Sequence, residues 1–157
     1  MLIVNNKQGV KDYKDKLSDN KTVGFVPTMG ALHKGHLSLI EKCIIENDIS
    51  AVSIFVNPNQ FNDREDYNKY PRVIEDDIDL LKKISVDLLF LPEEKEIYPQ
   101  KDNRIFELNG LDKYMEGKYR KGHFNGVVQV VTRLFDIIEP QKAYFGMKDY
   151  QQLAIIK

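Results

Sequence analysis

Residues 22–47 read TVGFVPTMGALHKGHLSLIEKCIIEN, and this stretch decides the fold. Its branched and aromatic beginning, Thr22 to Val26, predicts a strand that stops at Pro27, which lacks a ladder donor. Gly30 and Gly35 follow, and glycine is typical of turns. Apolar residues then recur at helical spacing from His36 to Asn47. The stretch therefore predicts a strand, a glycine-rich turn and a buried helix in that order.

Strands and helices continue to alternate along the chain. A polar loop is predicted from Asn59 to Tyr70. Further strands are predicted at Ala51 to Val56, Val86 to Leu91 and Ala143 to Phe145, and further helices around Ile74 to Ile84 and from His123 to Glu139. This order predicts an α/β fold, a Rossmann-like parallel sheet with helices on both faces.

Ligands of such sheets bind beyond the carboxyl ends of the strands. The loops that begin at Pro27, Asn57 and Gly146 each follow a predicted strand. We therefore expect these three loops to meet at one crevice.

Composition limits the classes of partner. The chain has 157 residues, which suits one domain, and its 23 basic and 24 acidic side chains give a net charge of -1. No broad positive field exists for nucleic acid or an anionic membrane, and no apolar stretch approaches the roughly 20 residues of a membrane span. We predict a cytoplasmic protein with no nucleic-acid or membrane partner.

Cysteine and histidine usage argues against structural metal. The single cysteine, Cys43, cannot form an internal disulfide and lies in the apolar helical pattern, so we assign it to the core. Neither a CxxC pair nor an HExxH pattern is present.

The turn between Gly30 and His36 carries the chemistry. Its Gly-x4-Gly spacing matches a Walker A loop, but His36 and Leu37 stand where that loop needs Lys and Ser or Thr. The GxGxxG fingerprint of dinucleotide-binding folds is also missing. A helix start still attracts anions, and His33 and His36, three residues apart, can both donate to one phosphate chain. By themselves, the two histidines are equally compatible with ordinary loop and helix-start positions.

The sequence PTMGALHKGH at 27–36 matches, except at a variable Lys34, the signature that pantothenate synthetases use in place of the HIGH motif of related nucleotidyltransferases. The chain resembles this family in four further blocks: Ser53 to Phe61, Tyr70 to Arg72, Glu116-Gly117 with Arg120 and His123-Phe124, and Tyr144 to Gln152. The resemblance implies ATP-dependent condensation of pantoate with β-alanine through a pantoyl adenylate, with Mg²⁺, release of AMP and pyrophosphate, and a homodimer.

The resemblance also implies residue roles. It assigns the ATP phosphates to His33, His36 and Lys148, and the rest of the nucleotide to Met29, Gly30, Gly146 and Asp149. It assigns pantoate to Gln60 and Gln152, with Asn57 orienting the loop or the substrate, and Mg²⁺ to Asp76. A mobile loop at the edge of the pocket corresponds to Glu116, Arg120 and His123. Alternatives from the residues alone are a helix cap for Asp149, a helix-dipole role for Asp76 and Asp77, and an exposed ion pair for Glu116 and Arg120.

Members of this family are longer and carry a later Ser-Ser-Arg-Asn segment that clamps the ATP phosphates. The present sequence ends at Lys157. We therefore expect residues 1–157 to be an amino-terminal nucleotide- and pantoate-binding domain, without the family's carboxy-terminal domain and with reduced or no activity alone. Two alternatives are a catalytically silent ATP-binding or dimerisation module, and another HxGH adenylyltransferase, which the PTMGAL prefix and the two glutamines disfavour.

Overall fold

A computed structural model describes residues 1–18 and 20–157 of the chain. Within that part the elements are β1 (Leu2–Val4), α1 (Lys7–Lys14), β2 (Val23–Thr28), α2 (Lys34–Glu46), β3 (Ile49–Ile54), α3 (Arg64–Lys69), α4 (Ile74–Lys83), β4 (Leu88–Phe90), α5 (Glu94–Ile97), α6 (Met115–Tyr119), α7 (His123–Ile138), β5 (Lys142–Ala143) and α8 (Tyr150–Ile156). Short 3₁₀ turns lie at Pro58–Gln60, Leu111–Lys113 and Met147–Asp149.

The five strands form one parallel sheet in the order β1-β4-β3-β2-β5. From β2 the chain moves through β3 to β4 in one direction, and β5 then pairs with the opposite side of β2. The strand order therefore reverses between β2 and β5. At such a point the connections leave the sheet on different faces, and a crevice opens at the carboxyl ends of the two strands.

Helices cover both faces of the sheet, so the predicted Rossmann-like α/β fold is confirmed. On one face α2 and α4 supply Ile40, Cys43 and Leu81, which are all fully buried. On the other face the core takes Val10 from α1 and a longer apolar stripe from α7. The assignment of Cys43 to the core is also confirmed, because its side chain has no solvent exposure.

The predicted end of the first strand at Pro27 is wrong, because β2 continues through Pro27 to Thr28. The carbonyl oxygens of Val23 and Phe25 accept from the β5 side, so the nitrogen of Pro27, two residues on, faces the same side. Pairing with β5 ends at Phe25. The sheet therefore loses no hydrogen bond through the missing N–H of Pro27.

The predicted loop from Asn59 to Tyr70 is also wrong in part, because it contains α3 and the end of the Pro58–Gln60 turn. The side chain of Asp63 caps α3 by accepting from the backbone nitrogen of Glu65. The amino-terminal β1 and α1 were not predicted. The short helices α5 and α6 were not predicted either, whereas the elements that were predicted begin or end within a few residues of their predicted limits.

Among residues 1–18 and 20–157, none of the helices combines the length and the apolar character that crossing a membrane requires.

One buried carboxylate fixes the loop that follows β2. Asp77, in the first turn of α4, accepts from the backbone nitrogens of Ala31 at 2.9 Å and Leu32 at 2.7 Å. Gly30 and Ala31 both have positive φ, at 82° and 51°. A Cβ at Gly30 would lie 3.0 Å from the Asp77 carboxylate. The loop therefore turns away from the sheet in a conformation that Asp77 stabilises and that requires glycine at position 30.

We expect Asp77→Ala to lower the free energy of unfolding by about 2–4 kcal/mol, because two backbone N–H groups lose a charged acceptor and one of them is buried. Urea denaturation monitored by circular dichroism measures the change. The matched control is Asp76→Ala in the same helical turn, whose exposed side chain contributes at most a few tenths through the helix dipole. Equal losses for the two variants would contradict the role of Asp77.

Candidate active site

The two signature histidines cap α2 through hydrogen bonds from the backbone to their rings. The Nδ1 atom of His33 accepts from the backbone nitrogen of Gly35 at 3.0 Å, and Nδ1 of His36 accepts from the backbone nitrogen of His33 at 3.4 Å. Their ring centroids are 4.1 Å apart. A Cβ at Gly35 would lie 2.9 Å from the His33 ring. Glycine at position 35 therefore makes room for the imidazole.

These bonds decide which ring nitrogens are donors. Because both Nδ1 atoms accept, the proton of each neutral ring lies on Nε2, which remains as the donor for a ligand. Burial, followed by the neighbouring His33, lowers the pKa of His36 from its usual value. His36 is therefore neutral at pH 7 and donates through Nε2 alone.

Two cavities of about 500 and 150 Å³ lie beyond the carboxyl ends of β2 and β5. Both are lined by Met29, Gln60, Tyr70, Asp149 and Gln152, and we call the space around these five residues the crevice. Lys148 lines the larger cavity, and His36 lines the smaller one. The three strand-end loops therefore meet at one place, as the sequence predicts.

Gln60 is held firmly at the floor of the crevice. Its Oε1 accepts from Nδ2 of Asn57 at 3.1 Å, and its Nε2 lies 3.0 Å from the sulfur of Met29. The turn that carries it packs directly on α7, where a Cβ at Gly126 would lie 2.2 Å from the backbone oxygen of Asn59. Glycine at position 126 thus lets the Gln60 turn approach α7.

His123, the first residue of α7, also contacts this turn. Its Nδ1 lies 2.8 Å from the carbonyl oxygen of Gln60, which only accepts, so Nδ1 carries the proton. Burial lowers the pKa of His123, although the bond to Gln60 acts in the opposite sense. The buried His123 is therefore neutral at pH 7 and leaves Nε2 as an acceptor.

The wall opposite Gln60 is the turn after β5 and the start of α8. Lys148 and Asp149 are exposed on this turn, and Gln152 is half-buried. Gln151 faces the segment before α6 and donates to the carbonyl oxygens of Leu111 and Tyr114, both at 2.7 Å. The segment that leads into α6 is therefore fastened to the wall that carries Lys148.

The predicted edge loop corresponds to α6 and its surroundings. Glu116 and Arg120 line the larger cavity, and their charged groups lie 3.7 Å apart. Glu116 is exposed and Arg120 is half-buried, so the pair contributes little stability.

The structure does not bring every predicted site residue into the crevice. His33 is exposed at the start of α2, and Gly30 lines a neighbouring cavity of about 370 Å³. Asn57 lies beneath the crevice, where its amide groups already bond within the protein. Asp76 is exposed on α4. A Cβ at Gly146 would meet only Leu39 at 3.9 Å, so that backbone stays open to a ligand.

A metal site built from protein alone needs several ligands close together. Across the described ranges 1–18 and 20–157, no group of three or more His, Cys, Asp or Glu side chains could hold a metal ion. Within the described ranges, Asp76 therefore belongs to no such group.

Sequence reasoning missed several contributors to the crevice. The smaller cavity is lined by one side of α7, at Val127, Val130, Val131 and Leu134, and by Phe145. The apolar period of α7 predicted burial but not which residues border the cavity. Tyr70 lies in a recognised block without an assigned role. The apolar lining and the few convergent polar groups suit a small, largely aliphatic acid beside a polyanion.

We expect the imidazole of His36 to titrate below pH 6.5, the ordinary value for histidine, because burial disfavours the imidazolium. Long-range ¹H–¹⁵N NMR of the folded chain measures both the midpoint and the tautomer. The same residue in denaturant is the reference. A midpoint above 6.5, or a neutral ring protonated at Nδ1, would contradict the capping geometry.

This chain is similar to known proteins over nearly its whole length. The family model described as pantoate-beta-alanine ligase matches residues 2–157. The pantothenate synthetase of Phocaeicola vulgatus is 52% identical in an alignment 154 positions long, which covers 96% of this chain and 55% of that protein. The Porphyromonas gingivalis W83 protein of the same name is 49% identical over all of this chain and 56% of its own length.

Solved structures of pantoate-beta-alanine ligases have the same fold as this chain. The pantoate-beta-alanine ligase of Francisella tularensis, complexed with beta-gamma ATP and beta-alanine, superimposes with a TM-score of 0.96 at 46% identity. The match covers 99% of this chain and 60% of that one. The Thermus thermophilus enzyme gives a TM-score of 0.91 at 47% identity over 99% of this chain and 55% of that one. This chain spans about half the length of the curated relatives it matches. It belongs to the pantoate-beta-alanine ligase family, the pantothenate synthetases.

Proposed function

We propose that the protein of which this chain forms all or part condenses pantoate with β-alanine, using ATP, through a pantoyl adenylate. The observation that carries the proposal is the meeting of Gln60, Gln152 and Asp149 at the crevice, with His36 and Lys148 lining its two cavities. Uncharged amides suit a carboxylate nucleophile, because they hold it without neutralising it, while imidazole N–H groups and a lysine suit phosphates.

In the first step a carboxylate oxygen of pantoate attacks the α-phosphorus of ATP. The new O–P bond forms as the bond to pyrophosphate breaks, so negative charge accumulates on the leaving group. We assign the Nε2–H donors of His33 and His36 and the ammonium of Lys148 to the phosphates. His36 is neutral and its tautomer is fixed, so its donor is in place before the nucleotide arrives.

The lining of the two cavities supports roles for the remaining groups. We assign Gln60 and Gln152 to pantoate and the α7 valines to its aliphatic part, and we keep Met29 and Asp149, with the Gly146 backbone, for the nucleotide. Asn57 takes the orienting role, because its amide is already bonded to Gln60 and Gly126.

In the second step the amine of β-alanine attacks the acyl carbon of the adenylate, the bond to AMP breaks, and the amine loses a proton. Glu116 and Arg120 border the larger cavity on the side of α6, so we assign them to covering the intermediate. Excluding water there protects the adenylate from hydrolysis.

Mg²⁺ is proposed to enter with ATP and to be held largely by phosphate oxygens and water, as this ion prefers when few protein ligands are available. Bound there, it would offset phosphate charge. The exposed carboxylate of Asp76 remains the proposed protein ligand. A homodimer and a cytoplasmic location are proposed from the family resemblance and the sequence.

A silent ATP-binding or dimerisation module is the second candidate for this chain alone. The exposure of His33 and Lys148 favours it, because a further clamp is then needed to enclose the phosphates. Catalysis by the isolated chain is therefore expected to be slow.

We expect slow pyrophosphate release from ATP that depends on pantoate and does not require β-alanine, because adenylation precedes amine attack. A coupled pyrophosphate assay on the 157-residue chain measures this, with β-alanine alone as the control. AMP should accumulate catalytically only when both acids are present. Release that is indifferent to pantoate would overturn the substrate assignment, and robust release would contradict the need for a further clamp.

We expect Lys148→Met to slow pantoate-dependent pyrophosphate release by about 100-fold, because a full charge on the phosphates is lost. The exposed side chain makes little contribution to folding, so the urea midpoint should stay unchanged. Lys82→Met on α4 is the matched control, since Lys82 is exposed and lies in the last turn of α4. Equal rates in the two variants would remove Lys148 from the site.

A further inference from the structure

A hydrogen-bonded relay runs beneath the crevice, formed by Tyr98, Asn57 and Gln60. The hydroxyl of Tyr98 donates to Oδ1 of Asn57 at 2.9 Å. Nδ2 of Asn57 in turn donates to Oε1 of Gln60 at 3.1 Å and to the carbonyl oxygen of Gly126 at 3.0 Å. Each bond has a defined donor and acceptor, so the relay has a direction.

The groups bonded to the Asn57 amide set this direction. The carbonyl of Gly126 can only accept, so it requires the amino group of Asn57 on its side. The Asn57 oxygen accepts from the Tyr98 hydroxyl at 2.9 Å and, over a longer distance, from the backbone nitrogen of Asn59 at 3.3 Å. The amino group of Asn57 then occupies the oxygen of Gln60. As a result, Nε2 is the end of the Gln60 amide that does not bond to Asn57. It lies beside Met29 in the lining of the crevice.

Tyr98 is itself held in one position. The guanidinium of Arg133 lies 5.2 Å from the centroid of its ring and donates to the carbonyl oxygen of Ile97 at 3.1 Å. Arg133 also pairs at 2.7 Å with Asp102, whose side chain is 1% exposed. Burial raises the pKa of Tyr98 well above its usual range, so the hydroxyl stays protonated. Packing against Arg133 leaves the ring little freedom to move.

We propose that Tyr98 is a positioning residue that fixes the amide of Gln60 with its N–H groups toward the crevice, so that the floor selects an oxyanion or hydroxyl oxygen of the substrate. This inference rests on the proposed function for the identity of that substrate, pantoate. The amide orientation itself does not depend on it. Without the phenol, the Asn57 oxygen retains the longer bond from the backbone nitrogen of Asn59, at 3.3 Å, so the amides of Asn57 and Gln60 are held less firmly in this orientation.

The test is Tyr98→Phe, which removes the hydroxyl and keeps the ring under Arg133. Two quantities are measured: the side-chain amide ¹H–¹⁵N resonances of Gln60 in the free chain, and the Kd for pantoate by isothermal titration calorimetry. We expect the Gln60 resonances to shift and broaden, and the Kd to rise about three- to tenfold.

The matched control is Tyr144→Phe. Its hydroxyl is hydrogen-bonded too: it donates to Glu46 at 2.9 Å and accepts from Asn47 at 2.7 Å, on the opposite face of the sheet. An effect that comes merely from removing a hydrogen-bonded tyrosine hydroxyl should therefore appear in both variants. Only Tyr98→Phe should alter the Gln60 amide and the Kd for pantoate.

A second variant reverses the relay. Asn57→Asp cannot donate to Gln60, so the Gln60 amide should rotate to donate toward position 57 and present its oxygen to the crevice. Pantoate affinity should then fall further than in Tyr98→Phe.

Failure of the relay and failure of the proposed substrate give different results. If wild type binds pantoate and Tyr98→Phe binds equally tightly with unchanged Gln60 resonances, the inference is overturned. If wild type does not bind pantoate but the Gln60 amide changes in Tyr98→Phe, the relay stands and the proposed substrate is wrong.

Discussion

A loop that leaves a parallel strand and immediately starts a helix has backbone N–H groups that the sheet cannot satisfy. Here the carboxylate of Asp77 accepts two of them, at Ala31 and Leu32, and so joins α4 to the loop between β2 and α2. Ala31 has positive φ, an unfavourable backbone conformation for a residue with a side chain. The position of the histidine cap on α2 depends on this one interaction, since the cap begins at the next residue.

The remainder of the crevice depends on strand order. Because β5 pairs on the side of β2 away from β3, the loops after these two strands face each other across an opening at the carboxyl edge of the sheet. Donors for anions come from the start of α2 and from Lys148, while the floor is made of amides and valines. The polyanion and the aliphatic acid of the proposed reaction would therefore meet different surfaces within a single opening, as joining a carboxylate to a phosphate requires.

Much of this arrangement could be predicted from the sequence. Strand and helix alternation predicted the sheet, and the specific segment from Pro27 to His36 predicted the histidine pair at a helix start. What the sequence could not show were contacts between residues distant in the chain. Asp77 looked like an ordinary acidic residue in a first helical turn, and nothing local indicated that its carboxylate reaches position 31. Pro27 looked like a strand end because the pattern does not reveal how far the neighbouring β5 extends.

The same limit applies to the floor of the crevice. Asn57 follows a strand, which predicted its neighbourhood but not its burial beneath Gln60. Gly126 looked like a helix residue, whereas its lack of a side chain is what lets the Gln60 turn approach α7. Such roles depend on two backbones meeting at a few ångströms, and periodicity along one segment carries no information about that distance.

The central claim is that pantoate and ATP meet between the carboxyl ends of β2 and β5. A crystal structure of the chain with pantoate and a non-hydrolysable ATP analogue tests it most directly. The account predicts the pantoate carboxylate beside Gln60 and Gln152, with its attacking oxygen facing the α-phosphate and with His36 Nε2 on the phosphate chain. Nucleotide bound instead in the separate cavity between α1 and α7, lined by Lys7, Lys11 and Arg133, would contradict it.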